Sequence, residues 1–163
     1  MTMETDVKNS RYYLNRELSW LQFNKRVLQE AVDTSNPLLE KLKFLAITSS
    51  NLDEFFMIRV AGLKHQKENG VKRRDIANMT PTEQLENISD ACQKLVAQQY
   101  MHLKGILKEL ETEGLVFIKP ADADERQKQW MGNYFEREIF PVVTPMAVDS
   151  SHPFPFLASK SLN

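Results

Sequence analysis

The residues best suited to chemistry lie in one stretch, residues 44–63, where polar side chains interrupt an apolar run. Its centre holds Asn51, Asp53 and Glu54, and Arg59 follows further along the same stretch. A buried polar group without a partner costs about 1–3 kcal/mol, so a helix core normally excludes such residues. The stretch is therefore either a helix junction whose polar groups cap or pair internally, or a surface that meets a polar ligand.

The amide of Asn51 suits either interpretation. As a cap it would accept hydrogen bonds from free backbone N–H groups at a helix start, where Asp53 and Glu54 are also favoured. As a ligand contact it offers both donor and acceptor groups, which match a purine edge or a phosphate oxygen. Two adjacent carboxylates without a further acidic cluster are weak evidence for a metal site, so we assign no metal ligand.

Arg59 has no acid three or four residues before it, because those positions are Phe55 and Phe56. Its guanidinium therefore needs a partner elsewhere. The candidates are Glu17, Glu40 or another acid on a neighbouring helix, or a phosphate group of a ligand.

No other residues form a catalytic arrangement. The three histidines, His65, His102 and His152, have neither metal-ligand spacing nor a nucleophile beside a base, so each is interpreted as a paired or solvated side chain. The sequence has no Walker-type glycine loop, no GxGxxG, no CxxC and no HExxH motif. The basic run at 72–74 lies between a glycine and an aspartate, which favours a solvated loop over a phosphate-binding patch. We assign no catalytic residue to this chain.

Helices are expected to position the polar stretch. After a polar lead-in at residues 1–14, the first helix is predicted over residues 20–33, because Ser19 and Gln22 form a capping box at its start. Apolar residues then recur at helical spacing, which gives the helix one buried face.

The second helix is predicted over residues 37–67, with Asn36 as its N-cap and Pro37 in the first helical position. The apolar pattern falters near Ser50. The segment is therefore either one long helix with a kink there or two helices, the second capped by Ser50 or Asn51.

The third helix is predicted to begin at Pro81, with Thr80 as N-cap and Glu83 completing a capping box, and to stop at Gly114. Within this helix a coiled-coil-like seam is formed by Leu85, Ile88, Cys92, Leu95, Gln99, His102 and Ile106. Because the second and third helices have matched lengths and a short connection, we expect them to pack antiparallel. With the first helix they would form a spectrin-repeat-like three-helix bundle, assigned to residues 1–113.

The pattern changes after the third helix. Residues 116–118 form a β-type run, Asp122 and Glu125 are placed to cap a helix, and residues 140–148 form a strand-like segment with two prolines. We predict the first β-α-β elements of an α/β domain at residues 114–163. An isolated two-stranded sheet is marginal, so this domain is expected to be truncated.

Composition narrows the class of protein. The chain has 163 residues, of which 42% are hydrophobic and 26% charged, as in ordinary globular proteins. Its net charge of −1 provides no broad basic field for nucleic acid or anionic lipid. Cys92 is the only cysteine, which fits a reducing compartment, and no apolar run approaches the ~20 residues that span a bilayer. The cytoplasm is the expected location.

Three long motifs together carry a resemblance to a known family. They are ELSWLQFNKRVLQEA, NPLLEKLKFLAITSSNLDEFFMIRVAGLK and IFPVVTPMAVDSSHPFPFLASKSLN, in this order. The chain resembles the N-terminal part of bacterial polyphosphate kinase of the ATP-dependent, histidine-phosphorylating type. The resemblance covers residues 12–68 and 134–163, and the helix between them in length and position.

The resemblance implies an enzyme that transfers the terminal phosphate of ATP reversibly to polyphosphate through a phosphorylated histidine, with Mg²⁺. It implies a helical domain, then an α/β head domain, then two domains of phospholipase D type. The family's NLDEF motif carries an ATP-binding asparagine, and that position is Asn51 here. The phosphohistidine, the phosphate-binding arginines and the Mg²⁺ ligands belong to the later domains, so this chain alone is expected to be inactive. Ser49-Ser50 precede the motif where some members carry an asparagine, which makes the local polar network less predictable.

The implied partners are ATP or ADP and polyphosphate, in a homo-oligomer without a membrane span; membrane association of the intact enzyme stays open. The alternative is that the bundle is a self-association or scaffolding module, with the seam of the third helix facing another subunit and no ligand of its own. Nucleic-acid binding through residues 72–74 is disfavoured by the net charge of −1.

Overall fold

The computed structural model describes residues 9–162 as helices joined by turns and irregular segments. Residues 1–8, within the expected lead-in, and residue 163 lie outside the described residues. The chain forms two compact units, one ending at Phe117 and the other beginning at Ile118. Over residues 9–162 no strand forms, so the fold is mainly α, as predicted, but without the predicted β-α-β elements.

The first helix, α1 (Arg16–Glu30), begins one turn earlier than predicted. Its N-cap is Asn15, whose Oδ1 accepts the backbone N–H groups of Glu17 and Leu18 at 3.0 and 2.9 Å. The capping box predicted at Ser19 is therefore wrong, because Ser19 already lies inside the helix and donates its N–H to the Asn15 carbonyl at 2.9 Å. An asparagine cap that satisfies two of the free N–H groups allows this extra turn.

One long helix follows, as the first of the two alternatives predicted. It consists of α2 (Leu38–Glu54), a π-helical segment (Phe55–Val60) and α3 (Ala61–Glu68). The backbone passes through Ser50 without a break, so neither Ser50 nor Asn51 caps a helix. The irregularity lies one turn later, in the π-helical segment, where each turn holds more residues than an α-helical turn.

The start of α2 also differs from the prediction. The Asn36 side chain does not cap the helix; its Nδ2 donates to the Glu30 carbonyl at the end of α1 at 2.8 Å. Pro37 precedes the first helical residue, and its carbonyl accepts the N–H of Lys41 at 3.0 Å. Asn36 therefore stabilises the turn between the two helices and does not cap the start of the second helix.

The helix α4 (Pro81–Thr112) has the predicted capping box. The hydroxyl of Thr80 accepts the N–H of Glu83 at 3.3 Å, and the Glu83 carboxylate accepts the N–H of Thr80 at 2.7 Å. These bonds from Thr80 are the main reason that the pKa of Glu83 lies below its usual value. At the other end Gly114 has φ +85°, and the N–H of Leu115 donates back to the Leu110 carbonyl at 2.9 Å in a Schellman motif.

Replacing Gly114 with alanine is expected to lower the free energy of unfolding by about 1 kcal/mol, because the left-handed φ of +85° disfavours a Cβ. Crowding is not the cause, since no heavy atom beyond the two neighbouring residues lies within 4 Å of an added Cβ. Gly105 inside α4 also faces open space and is the matched control. Gly105→Ala should instead raise stability by about 0.5–1 kcal/mol. Urea denaturation of both variants measures this, and equal shifts of the same sign would contradict it.

The interior of the first unit lies between α1, the long helix and α4. Its buried members are Leu21, Leu28, Ala31, Leu45, Leu52, Phe55, Val60, Leu63, Ile88, Cys92, Leu95, Ile106 and Leu110. Gln99 on α4 donates to the Leu45 carbonyl of α2 at 3.0 Å. Val60, further along the long helix, lines one groove with Leu85 near the start of α4, so these helices run antiparallel as predicted.

The second unit contains α5 (Glu125–Tyr134), followed by a π-helical segment (Phe135–Ile139) and a 3₁₀ turn (Phe140–Val142). Trp130 and Tyr134 stack with ring centroids 5.2 Å apart. The helix is capped by Asp124, whose carboxylate accepts the Gln127 N–H at 2.7 Å.

Two predictions for this region are therefore wrong. Asp122 is not the cap of α5; it ends a 3₁₀ turn (Pro120–Asp122). The β-type runs at 116–118 and 140–148 do not form strands, because a strand needs a partner to pair its N–H and C=O groups and the described residues offer none. The domain boundary at 113/114 stays a prediction.

Candidate functional site

Three side-chain pairs join α1 to the long helix, and we refer to them as the ladder. They are Asn24 with Asn51, Trp20 with Phe55, and Glu17 with Arg59. From one pair to the next, the residue number falls in α1 and rises in the long helix, so the two helices are antiparallel. The polar stretch singled out in the sequence thus lies against the first helix.

The first pair is an amide pair around a buried asparagine. Asn24 has no exposed surface, and its Nδ2 donates to the backbone carbonyl of Thr48 at 3.1 Å. Its Oδ1 accepts from Nδ2 of Asn51 at 2.9 Å, and Asn51 itself remains partly exposed. Internal pairing, one of the two structural roles considered for Asn51, is therefore confirmed, whereas the capping role is wrong. No local pattern in the sequence points to Asn24 as the partner.

The second pair is a stacked aromatic contact. The rings of Trp20 and Phe55 have centroids 4.5 Å apart and planes within 9° of parallel. Phe55 is 1% exposed, and Phe56 meets it edge-on with centroids 6.0 Å apart. Phe55 is therefore a core packing residue, while Phe56 is 44% exposed.

The third pair gives Arg59 its partner. Nη1 of Arg59 lies 3.1 Å from Oε2 of Glu17, one of the two glutamates proposed from the sequence. Arg16 binds the other carboxylate oxygen at 2.8 Å, so two cations share one carboxylate that is 5% exposed. Arg59 therefore pairs with an acid on a neighbouring helix, the first of the two kinds of partner considered for it. Asp53 and Glu54 are exposed and lie mid-helix, so they do not favour a helix start.

The π-helical segment explains how one helix presents the whole ladder. Asn51, Phe55 and Arg59 are spaced four residues apart, and at 3.6 residues per turn such positions drift by about 40° per step. A wider π turn takes up part of this drift, so Phe55 and Arg59 both reach α1. π-Helical turns of this kind occur frequently at functional sites.

A second polar network, which sequence reasoning missed, fixes the start of α1. Nδ2 of Asn15 donates to Oε1 of Gln84 at 2.9 Å and to Oδ2 of Asp75 at 2.6 Å. Gln84 donates to the Met79 carbonyl at 3.2 Å, and the Asp75 carboxylate accepts the Met79 N–H at 2.8 Å. Asn15 and Gln84 are both buried. The network fastens the first residues of α1 to the loop before α4.

The histidines stay outside any such arrangement. His65 is exposed, His102 is half-buried on α4, and His152 lies 3.1 Å from Asp149 in an exposed turn. The pKa of Asp149 is lowered, mainly by the backbone N–H of Ser151. Over residues 9–162 no three His, Cys, Asp or Glu side chains group together as a metal site.

The basic run at 72–74 is exposed, as predicted for a solvated loop. Arg74 donates to the Asn78 carbonyl and pairs with Glu83 at 3.0 Å. Cys92 is buried, and this burial raises the pKa of its thiol to about 11, so it is not an activated nucleophile.

Two open grooves lie along the face between the long helix and α4. One, of about 550 Å³, is lined by residues including Ser49, Phe56 and Tyr100; the other, of about 690 Å³, shares Phe56. Asn51 lines neither groove.

The seam of α4 does not provide the subunit surface that the alternative prediction, a self-association module, required. Leu95 and most of the apolar residues of the seam are buried inside the unit. Oligomerisation itself stays a prediction.

Sequence comparisons decide the family. The model described as "Polyphosphate kinase N-terminal domain" matches residues 13–118, and the one described as "Polyphosphate kinase middle domain" matches residues 126–163. The chain belongs to the polyphosphate kinase family. The ladder lies entirely within the match to the polyphosphate kinase N-terminal domain.

Curated polyphosphate kinases agree with this assignment. The protein of Synechocystis sp. is 50% identical over 159 residues, which is 97% of this chain and 22% of the relative. That of Bacillus anthracis is 49% identical over 160 residues, 97% of this chain and 23% of the relative. That of Mycobacterium bovis is 50% identical over 152 residues, 93% of this chain and 20% of the relative. The chain thus spans about a fifth of the length of these polyphosphate kinases. Over residues 9–162, none of the helices has the length and apolar character needed to cross a bilayer.

Proposed function

We propose that this chain is the N-terminal part of an enzyme that transfers the terminal phosphate of ATP reversibly to polyphosphate, and that Asn51 contacts the nucleotide near its base. The observation that carries the proposal is its similarity to polyphosphate kinases at about 50% identity over 97% of the chain. The Asn51 contact rests on the resemblance of the NLDEF motif to the family's ATP-binding asparagine.

The surroundings of Asn51 support a base contact. Its side chain is partly exposed, yet it is held by a buried partner, so it can meet a ligand without first becoming ordered. Ile47, one turn earlier on the same face of the long helix, is 38% exposed. A surface that combines apolar groups with one fixed amide suits a flat, hydrogen-bonding ring.

The reaction itself is proposed to occur outside this chain. Phosphoryl transfer depends on positioned charge around the phosphates. Over residues 9–162 there is no metal-ligand cluster, and Arg59, the cation of the ladder, is paired with Glu17. The resemblance assigns the phosphorylated histidine, the phosphate-binding arginines and the Mg²⁺ ligands to the rest of the intact enzyme, so this chain alone is expected to be inactive.

In the full-length enzyme, Asn51→Ala is expected to raise the KM for ATP about tenfold, the effect of losing one hydrogen bond of about 1.4 kcal/mol. Initial rates at varied ATP concentration measure this. Asn87→Ala, which removes an exposed helical asparagine on α4, is the matched control and should leave KM unchanged. An unchanged KM in Asn51→Ala would limit Asn51 to a structural role.

Calorimetry of this chain alone with Mg-ATP should show no micromolar binding. A micromolar Kd would contradict the proposal that most of the ATP site lies outside this chain.

A further inference from the structure

We infer that Asn24 fixes the direction of the Asn51 amide so that Asn51 presents its carbonyl oxygen outward, and that this acceptor selects a base with an exocyclic amino group at the position of the adenine 6-amino group. The inference rests on the proposed function, since it assumes that Asn51 meets the nucleotide. It adds a positioning residue and a basis for base selectivity.

The argument starts at the backbone carbonyl of Thr48. A carbonyl oxygen can only accept a hydrogen bond, so the Asn24 atom 3.1 Å from it must be the donor Nδ2. The other end of the same amide, Oδ1 of Asn24, is then fixed as an acceptor. Because Asn24 has no exposed surface, water cannot compete for either group.

The direction of Asn51 follows from that of Asn24. Only Nδ2 of Asn51 can donate to Oδ1 of Asn24, and the two atoms are 2.9 Å apart. Reversing the Asn51 amide would bring two oxygens together and leave a fully buried acceptor unpaired, which is costly in a low-dielectric interior. The amide is therefore locked with its nitrogen turned inward.

The outward group of Asn51 is consequently its Oδ1. No group among residues 9–162 donates a hydrogen bond to this oxygen, and the side chain is partly exposed. An outward acceptor matches the 6-amino group of adenine, which is a donor, and opposes a 6-oxo group, which is an acceptor. A site built to bond an amino group rejects an analogue that lacks it, because its own polar group is left unpaired.

Asn24 itself cannot touch a ligand, because it is fully buried. It acts only through Asn51 and is a positioning residue. ATP and ITP are the appropriate pair of substrates. ITP has a 6-oxo group in place of the 6-amino group and a hydrogen on the neighbouring ring nitrogen N1, and the rest of the ring edge is the same. The readout is the ratio of kcat/KM for ATP to kcat/KM for ITP in the full-length enzyme.

Asn24→Leu keeps the number and branching of the side-chain heavy atoms but removes both hydrogen-bonding groups, so the Asn51 amide can reverse. The ATP-to-ITP ratio is expected to fall about tenfold, with a smaller change in kcat for ATP. Asn24→Asp, protonated in this buried site so that its O–H donates to the Thr48 carbonyl, keeps an oxygen facing Nδ2 of Asn51 and should retain most of the ratio. Gln84→Leu is the matched control, because it removes another buried amide that contacts Asn15 and not Asn51, and it should leave the ratio unchanged.

The outcomes separate this inference from the proposed function. If Asn51→Ala leaves the KM for ATP unchanged, the nucleotide contact fails, and the inference fails with it. If Asn51→Ala raises KM while Asn24→Leu retains the wild-type ratio, the inference alone is overturned.

A second measurement does not depend on any variant folding. In the wild-type chain, NMR should detect a scalar coupling across the hydrogen bond, from the side-chain nitrogen of Asn51 to the side-chain carbonyl carbon of Asn24. Detection supports the locked direction. Its absence, with couplings across backbone hydrogen bonds of α4 detected in the same spectrum, overturns it.

Discussion

Replacing Phe55 with alanine is expected to lower the free energy of unfolding of the first unit by about 3–5 kcal/mol, the range for a buried aromatic residue truncated to alanine. The side chain is 1% exposed and stacks on Trp20 at a centroid distance of 4.5 Å, so the variant loses both its burial and the ring contact. Because domains are stable by only about 5–15 kcal/mol, this loss is a large fraction of the total stability. Thermal and urea unfolding followed by circular dichroism measure the loss.

The neighbouring residue provides the matched control for this prediction. Phe56 has the same side chain in the same π-helical segment but is 44% exposed. Phe56→Ala should therefore cost about 1 kcal/mol or less. Equal losses in the two variants would show that the Trp20 stack does not contribute as the structure requires.

Replacing Asn15 with alanine is the second prediction with a large effect, a loss of about 2–4 kcal/mol. Removing the N-cap of α1 costs about 1 kcal/mol. A further 1–3 kcal/mol, roughly, comes from Oε1 of the buried Gln84, which loses its donor. Chemical denaturation of the variant measures the sum.

The two contributions of Asn15 can be separated. Asn9→Ala removes a partly exposed asparagine that caps a 3₁₀ turn (Ser10–Tyr12) through one bond of 3.2 Å, and it should change stability by less than about 0.5 kcal/mol. Adding Gln84→Leu to Asn15→Ala should recover part of the loss, because both partners of the buried bond are then removed. A further loss of several kcal/mol in the double variant would contradict the assigned role of Gln84.

Features determined by residues close in sequence could be predicted. The capping box of Thr80 and Glu83 and the glycine stop at Gly114 each depend on contacts within a few residues, and both are present. The start of α1 could not be predicted in the same way. Its cap, Asn15, is supported by side chains 60 and 69 residues away, which no local pattern reveals.

In the candidate site, too, local sequence predicted some features, whereas others depended on residues far away in the chain. The sequence identified Asn51 and Arg59 as polar residues that needed partners and named Glu17 among the acids for Arg59. Choosing Glu17, and finding Asn24, required the antiparallel packing of α1, because these partners are 42 and 27 residues distant. The strands failed for a related reason: apolar, β-branched runs indicate a tendency, but a strand exists only when another segment pairs with it.

The Trp20–Phe55 stack also gives the protein an optical label. The chain has two tryptophans, and one lies in each compact unit. Trp20 is half-buried against Phe55, whereas Trp130 is 64% exposed beside Tyr134. The emission of Trp20 should therefore lie at shorter wavelength than that of Trp130. Replacing either indole with phenylalanine would leave a fluorophore that follows the melting of a single unit.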